Sequence, residues 1–90
     1  MSEIRDNTAA RRFELEEGGA LAYADYRREQ GRWVIPYVFA PPELRGTGAA
    51  GRLMRGVAER ARAEGVRILP VCSYAAAWLR RHQEWADVSY

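Results

Sequence analysis

The residues best placed to do chemistry lie in the stretch Pro41-Pro42-Glu43-Leu44-Arg45-Gly46-Thr47-Gly48-Ala49-Ala50-Gly51-Arg52, which follows an apolar run and opens an amphipathic one. Small residues at a strand-to-helix turn let the backbone bring its N–H groups close to a ligand. The first turn of the following helix adds unpaired donors and the positive end of its dipole at the same point. Such a loop binds an anion, and a phosphate above all. Two familiar phosphate loops are excluded by residue type: there is no lysine for a GxxxxGK[ST] loop, and the downstream sequence lacks the second half of a dinucleotide-binding unit. Arg52 is either a further phosphate contact or a solvated surface arginine.

A second chemical stretch is Ile68-Leu69-Pro70-Val71-Cys72-Ser73-Tyr74. Ser73 suits the N-cap of a helix running from Tyr74 to about His82, with Ala75, Trp78 and Leu79 facing inward. Cys72 would then sit just outside a helix N-terminus, where the dipole favours thiolate. Its alternative is a small, buried, apolar cysteine. The phenol of Tyr74 can serve as a proton donor or pack as an aromatic. His82 lies a helix length from the loop and reads as a surface or tail-packing residue.

The elements that must position these stretches follow from periodicity. Residues 1–10 are polar and aperiodic, with Ile4 as their one apolar anchor, and are expected to be a flexible terminus. From Arg11 the alternation of Phe13 and Leu15 with charged residues marks a half-buried strand that turns at Gly18-Gly19. Leu21, Tyr23 and Asp25 face one side of a second strand, with Ala20, Ala22, Ala24 and Tyr26 on the other, and Arg27 to Gly31 form a polar return. Residues 33–40 make a third, more apolar strand whose donor row is broken at Pro36, so an edge position or a bulge is expected there. A helix from about Ala49 to Glu64 repeats Leu53, Val57 and Ala61 on one stripe and ends at Gly65. Gly56 within it points to close approach to the sheet or to simple tolerance. Residues 66–72 form a fourth strand, made parallel to the third by the helical crossover. Ligands in such sheets bind beyond the carboxyl ends of the strands, which brings the 45–50 loop and residues 72–74 to one edge.

Ninety residues make one domain, here residues 11–90, and the hydrophobic share of 48% with three Trp, five Tyr and two Phe is that of a globular chain. All fourteen basic residues are arginine, and twelve acids are interspersed among them for a net charge of +2. No broad basic face results, so nucleic acid is not expected as a partner. One cysteine allows no internal disulfide, no apolar run approaches a membrane span, and no metal site is expected, which together lead to a cytoplasmic reading. Trp85 and Tyr90, taken as exposed, would permit a weak homodimer beside a monomer.

Arg45-Gly46-Thr47-Gly48-Ala49-Ala50 has the form [Gln/Arg]-x-x-Gly-x-[Gly/Ala] and resembles the acetyl-coenzyme A pyrophosphate loop of the GNAT N-acetyltransferase superfamily. The Pro70-Val71-Cys72-Ser73-Tyr74 segment and the later His82-Gln83-Glu84-Trp85 resemble the minimal single-domain members, over roughly residues 11 to 88. The resemblance implies a compact α/β (α+β) fold, with N-terminal antiparallel strands and then strand, loop, helix, strand and helix around a mixed sheet of about four strands. It implies acetyl-coenzyme A or coenzyme A as cofactor, held by Arg45, Gly46, Thr47, Gly48, Ala49 and Ala50. The central strand would splay from its neighbour, so that the backbone of Val38, Phe39 and Ala40 holds the pantetheine arm and polarises the thioester carbonyl. Tyr74 would protonate the leaving thiolate, and Cys72 is a minority candidate for an acetyl-carrying nucleophile. The implied reaction is direct N-acetylation of an amine in a ternary complex. Small relatives usually carry His-Thr-x-Val where this chain has Tyr37-Val38-Phe39-Ala40. A non-catalytic coenzyme A-binding or protein-interaction module is therefore the alternative.

Overall fold

The computed structural model of the chain describes residues 4–90. Five strands form one sheet in the order of the sequence: β1 (Arg5–Asn7), β2 (Arg12–Glu17), β3 (Ala20–Glu29), β4 (Arg32–Phe39) and β5 (Arg67–Pro70). The first four are joined antiparallel, and β5 lies parallel to β4. A mixed sheet of this kind is the expected class, with one strand more than the sequence indicated. The extra strand is β1, which falls within the stretch read as a flexible terminus. Arg5, Asp6 and Asn7 pair with Glu14, Phe13 and Arg12, and the Ile4 side chain is buried. Residues 1–3 of that stretch lie outside the described residues.

Period-two patterning fixes which face of the sheet is covered. Phe13 opposite Ala24, and Leu15 opposite Ala22, point to the core with Tyr26, Trp33 and Ile35. The small alanines leave room for helix α1 (Ala49–Glu64), which lays Leu53, Met54, Val57, Ala58 and Ala61 against them. Gly65 ends that helix in the left-handed region at φ 71°, its N–H donating to the carbonyls of Ala61 and Arg62, as a C-terminal glycine cap should. The close approach anticipated at Gly56 is real, but it is to β1's flank and not to the sheet. A Cβ there would stand 2.6 Å from Cγ2 of Ile4.

Helix α2 (Ser73–Arg81) begins one residue earlier than the sequence indicated, so Cys72, and not Ser73, occupies the N-cap, without a side-chain capping bond. The chain then closes in 3₁₀ turns over Gln83–Val88. These bury Trp85 and Val88, which corrects the reading of Trp85 as exposed. The Trp85 ring lies under the guanidinium of Arg62, 4.2 Å away, and Arg62 is itself paired with Asp87 at 2.6 Å. Tyr90 is exposed as expected.

Candidate functional site

The site begins where two paired strands part. The ladder between β4 and β5 runs from Arg32 opposite Arg67 to Ile35 opposite Pro70 and stops there. With every peptide trans, the Pro36 nitrogen points away from the Ile35 carbonyl and toward β3, so its missing N–H interrupts the antiparallel ladder and not the parallel one. The amides of Val71 and Cys72 both donate to the Ile35 carbonyl, at 3.1 and 2.9 Å, and turn the chain away into α2. On the other side of β4 the register shifts between Asp25 and Arg27, where Tyr26 alone faces Ile35 and Pro36. That is the bulge the proline predicted. Past it, Tyr37, Val38 and Phe39 stay paired with β3, opposite Asp25, Ala24 and Tyr23, while no strand pairs with their other edge among the described residues.

A cleft of about 420 Å³ opens along that edge. Its lining runs from Tyr37, Val38, Phe39 and Ala40 on the strand, through Leu44, Arg45, Gly46 and Gly48, to Ala49, Ala50 and Gly51 at the start of α1. Gly46 and Gly48 hold φ of 78° and 86°, a region open to glycine at little cost, and so turn the loop tightly enough to direct it into the helix. Inside the loop the Thr47 amide donates to Leu44 O, its hydroxyl donates to the same carbonyl at 2.6 Å, and the Ala49 amide donates to the hydroxyl at 3.2 Å. The amides of Gly46, Gly48, Ala50 and Gly51 meet no acceptor among the described residues. Residues that line the cleft thus leave four donors unspent, in the turn and first turn of α1, which is what an anionic group requires.

Each residue expected to hold the phosphates can now be placed. Gly46, Gly48, Ala49 and Ala50 line the cleft, but Thr47 does not: its hydroxyl is spent on the turn and on the helix start. Arg45 lines the cleft and ties the loop to the strand end, Nε donating to Ala40 O at 2.9 Å. Arg52 is not part of the lining. Its Nε and Nη2 grip the Glu17 carboxylate at 2.8 and 2.7 Å, and Nη1 donates to Thr47 O at 3.1 Å, so it braces the loop from outside. Val38, Phe39 and Ala40 line the cleft as expected.

The opposite wall is α2. Tyr74 lines the cleft and is the one α2 residue that does so. Burial pushes its phenol pKa above the ordinary 10.0, against a smaller opposing effect of Arg81 and with a contribution from nearby Cys72. Cys72 does not line the cleft. It is half-buried against the core, and its backbone N–H is bound to Ile35. His82 stacks on Trp78 at 4.1 Å and its Nδ1 meets the Trp78 carbonyl at 2.8 Å, a packing role outside the cleft lining. The two helices approach at Gly51, where a Cβ would stand 3.4 Å from the Trp78 indole nitrogen, an ordinary van der Waals contact.

Sequence reasoning did not single out Leu44, Gly51 or Tyr37 as lining residues. Gly51 had a signal, the spacing Gly46, Gly48, Gly51, set aside with the dinucleotide fold it usually marks. Tyr37 had another: a large aromatic following a proline at a strand's bend is poorly placed for a core, and it is 48% exposed. Its ring joins Tyr23 and Phe39 on the sheet's outer face, with centroids 6.2 and 6.4 Å away. Beside them Glu14, 3% exposed, accepts from Arg5 at 2.6 Å, Arg12 at 2.7 Å and Asn7 at 3.0 Å. The Arg5 bond above all, aided by Arg12 and Asn7 and opposed by burial, holds its carboxyl down to about 2.

Comparison with known proteins places this geometry. A family profile for GCN5-related N-acetyl-transferase matches residues 12–88. The solution structure of a GCN5-like protein from Staphylococcus aureus, determined by NMR, superimposes with a TM-score of 0.77 at 28% identity, over 98% of this chain and 87% of that one. No curated protein matches the sequence. Among the described residues no helix is long and apolar enough to cross a membrane.

Proposed function

Since the chain belongs to the GCN5-related N-acetyltransferase family, we propose that it transfers an acetyl group from acetyl-coenzyme A to an amine, directly and within a ternary complex. The observation that carries this reading is the set of four loop amides, of Gly46, Gly48, Ala50 and Gly51, that find no acceptor within the described protein and line one cleft with the open edge of β4. The donors fit a diphosphate at a helix start. The strand edge at residues 38–40 fits an extended arm that needs backbone partners and a carbonyl that needs polarising.

When bound, acetyl-coenzyme A supplies an acetyl group activated as a thioester. The chain contributes chiefly position, holding the acceptor nitrogen against the strand edge at the fork. Tyr74, a phenol that is protonated at neutral pH even before burial pushes its pKa further up, holds a proton at the phenol oxygen for a leaving sulfur and recovers it from solvent. The acceptor nitrogen gives up one proton to water, because no carboxylate or imidazole lines the cleft. Cys72, outside the lining, is assigned no covalent step. A cytoplasmic location and a monomeric or weakly dimeric state belong to the same reading.

Calorimetric titration with acetyl-coenzyme A tests it. Ala50→Glu, a change in the first turn of a helix where a negative charge suits the dipole, is expected to keep the wild-type circular dichroism spectrum and to weaken binding at least about tenfold, or 1.4 kcal/mol, by setting a negative charge against the phosphates. Gly48→Val, which forces a side chain into φ 86°, should do the same. Wild-type protein that takes up no acetyl-coenzyme A, or Ala50→Glu that binds it equally well, refutes the assignment. The absence of any carboxylate or imidazole in the lining favours one second reading, a coenzyme A-binding module without turnover. Binding without acetylation of any amine in a panel would support that.

A further inference from the structure

We propose that the chain carries a second anion site, apart from the acetyl-coenzyme A cleft, in which Arg11 and Arg27 hold the phosphate of a small phosphate monoester. β2 and β3 pair only as far as Arg12 opposite Asp25, so β3 runs on from Tyr26 to Glu29 with no strand beside it on that edge among the described residues. The turn that joins β1 to β2 closes one end of the recess. The cavity there measures about 560 Å³, a size suited to a small molecule. It is lined by Thr8 and Arg11 from the turn and by Tyr26, Arg27, Arg28 and Glu29 from the strand, and it shares no lining residue with the cleft.

This recess carries charge that the protein does not use, three arginines against one glutamate. Arg28 is committed: it lies over the rings of Tyr26 and Trp33, 5.0 and 4.7 Å from their centres, and pairs with Asp6 and with Glu64. Glu29 is held at 2.8 Å by Arg32, which is outside the lining. The one ion pair of Arg27 among the described residues, with Glu29, is 3.5 Å long. The side chain of Arg11 makes no hydrogen bond and no ion pair among the described residues. Two unspent guanidiniums match a phosphate monoester, whose charge is about −1.5 to −2 at neutral pH, and their forked N–H groups match its oxygens. The Thr8 hydroxyl offers a further donor.

The backbone of Arg11 adds an independent observation. Its φ is 56°, and every other described residue with a left-handed φ is a glycine. Its N–H donates to the Thr8 carbonyl at 3.2 Å, and its carbonyl accepts from the Tyr26 N–H at 3.0 Å. Glycine would make both bonds at less conformational cost. Nothing among the described residues uses the guanidinium placed there at that cost, and a bound anion would.

The test titrates the ¹⁵N-labelled full chain with glycerol 3-phosphate, inorganic phosphate and acetate at one ionic strength and follows the amide chemical shifts. Both phosphates are expected to shift residues 8–11 and 26–29, and acetate to bind there at least about tenfold more weakly. Phosphate taken up by the glycine loop shifts residues 46–51 and is thereby told apart. Arg11→Gly, which relieves the left-handed backbone, should melt no lower than the wild type and yet weaken phosphate binding at residues 8–11 and 26–29 at least about tenfold. It should leave acetyl-coenzyme A binding unchanged. Arg27→Gln should weaken the same site, and Arg80→Gln, outside both cavities, should not. No response at residues 8–11 and 26–29, an equal response to acetate, or phosphate binding that survives Arg11→Gly each overturns the proposal. A phosphoserine peptide that binds there at least about tenfold more tightly than glycerol 3-phosphate overturns the small-molecule assignment.

Discussion

The two halves of β4 differ more from each other than most pairs of strands do. Before Pro36, Trp33 and Val34 are paired on both edges, Ile35 is paired with β5, and all three are buried to 2% exposure or less. After it, residues 37–39 are paired on one edge, none of residues 37–40 is buried, and the free edge faces the cleft. One strand thus supplies the rigid centre of the sheet and the open backbone of the site. What separates the halves is the turn of β5 into α2 on one edge and the register shift beside Pro36 on the other. A fold that must present unpaired backbone groups needs them next to fully paired ones, because the exposed groups hold their geometry only as extensions of a ladder that cannot move.

Three substitutions probe that division. In the paired half, Trp33→Ala removes a ring 2% exposed and packed 5.1 Å from Phe13. It should cost about 3–5 kcal/mol in urea unfolding, a large part of a small domain's stability. A loss below about 1 kcal/mol would deny that this half is the core.

The outer face of the open half rests on charge. Tyr23, whose ring lies 5.3 Å from Phe39, is the ladder partner of Glu14 and is covered by Arg12. Glu14→Gln should cost about 1.5–3 kcal/mol at neutral pH, the range for hydrogen bonds to a charged group. The folded carboxyl titrates at about 2, below its ordinary 4.5, so its contribution is complete above pH 4.5 and is lost as pH falls from there through about 2. Unfolding curves of the wild type across that window should slope more steeply than those of Glu14→Gln. Parallel curves would mean that the network does not hold the carboxylate.

The smallest effect is expected at the boundary. Pro36→Ala should change stability by less than about 1 kcal/mol, and the new amide, which points toward β3 at the register shift, should exchange with deuterium rapidly because no ladder partner stands opposite it. A slowly exchanging amide at residue 36 would show that the proline alone causes the bulge.

Several of these features were legible in the residues. The periodicity of Leu53, Val57 and Ala61 and the glycine at 65 gave the bounds of α1, and the anion loop was recognisable from its small residues ahead of that stripe. The bulge at Pro36 followed from a missing N–H. β1 was not legible, because three polar residues carry no period and pair only through a register set by β2. Nor was the burial of Trp85, which depends on where α1 places Arg62. In the loop, residue type could not tell Thr47 and Arg52, which brace it, from the glycines, which present their amides. The same donor serves either purpose according to which acceptor stands within 3 Å.

The chain by itself determined where backbone can turn, where it lacks a donor and which faces must leave water, since these are properties of single residues and their spacing. Only the tertiary structure decided which donors remain unused, and that Tyr37, Tyr74 and the loop residues share one cleft. Those are distances between groups remote in sequence, and they exist only once the sheet and its two helices have closed on a common core.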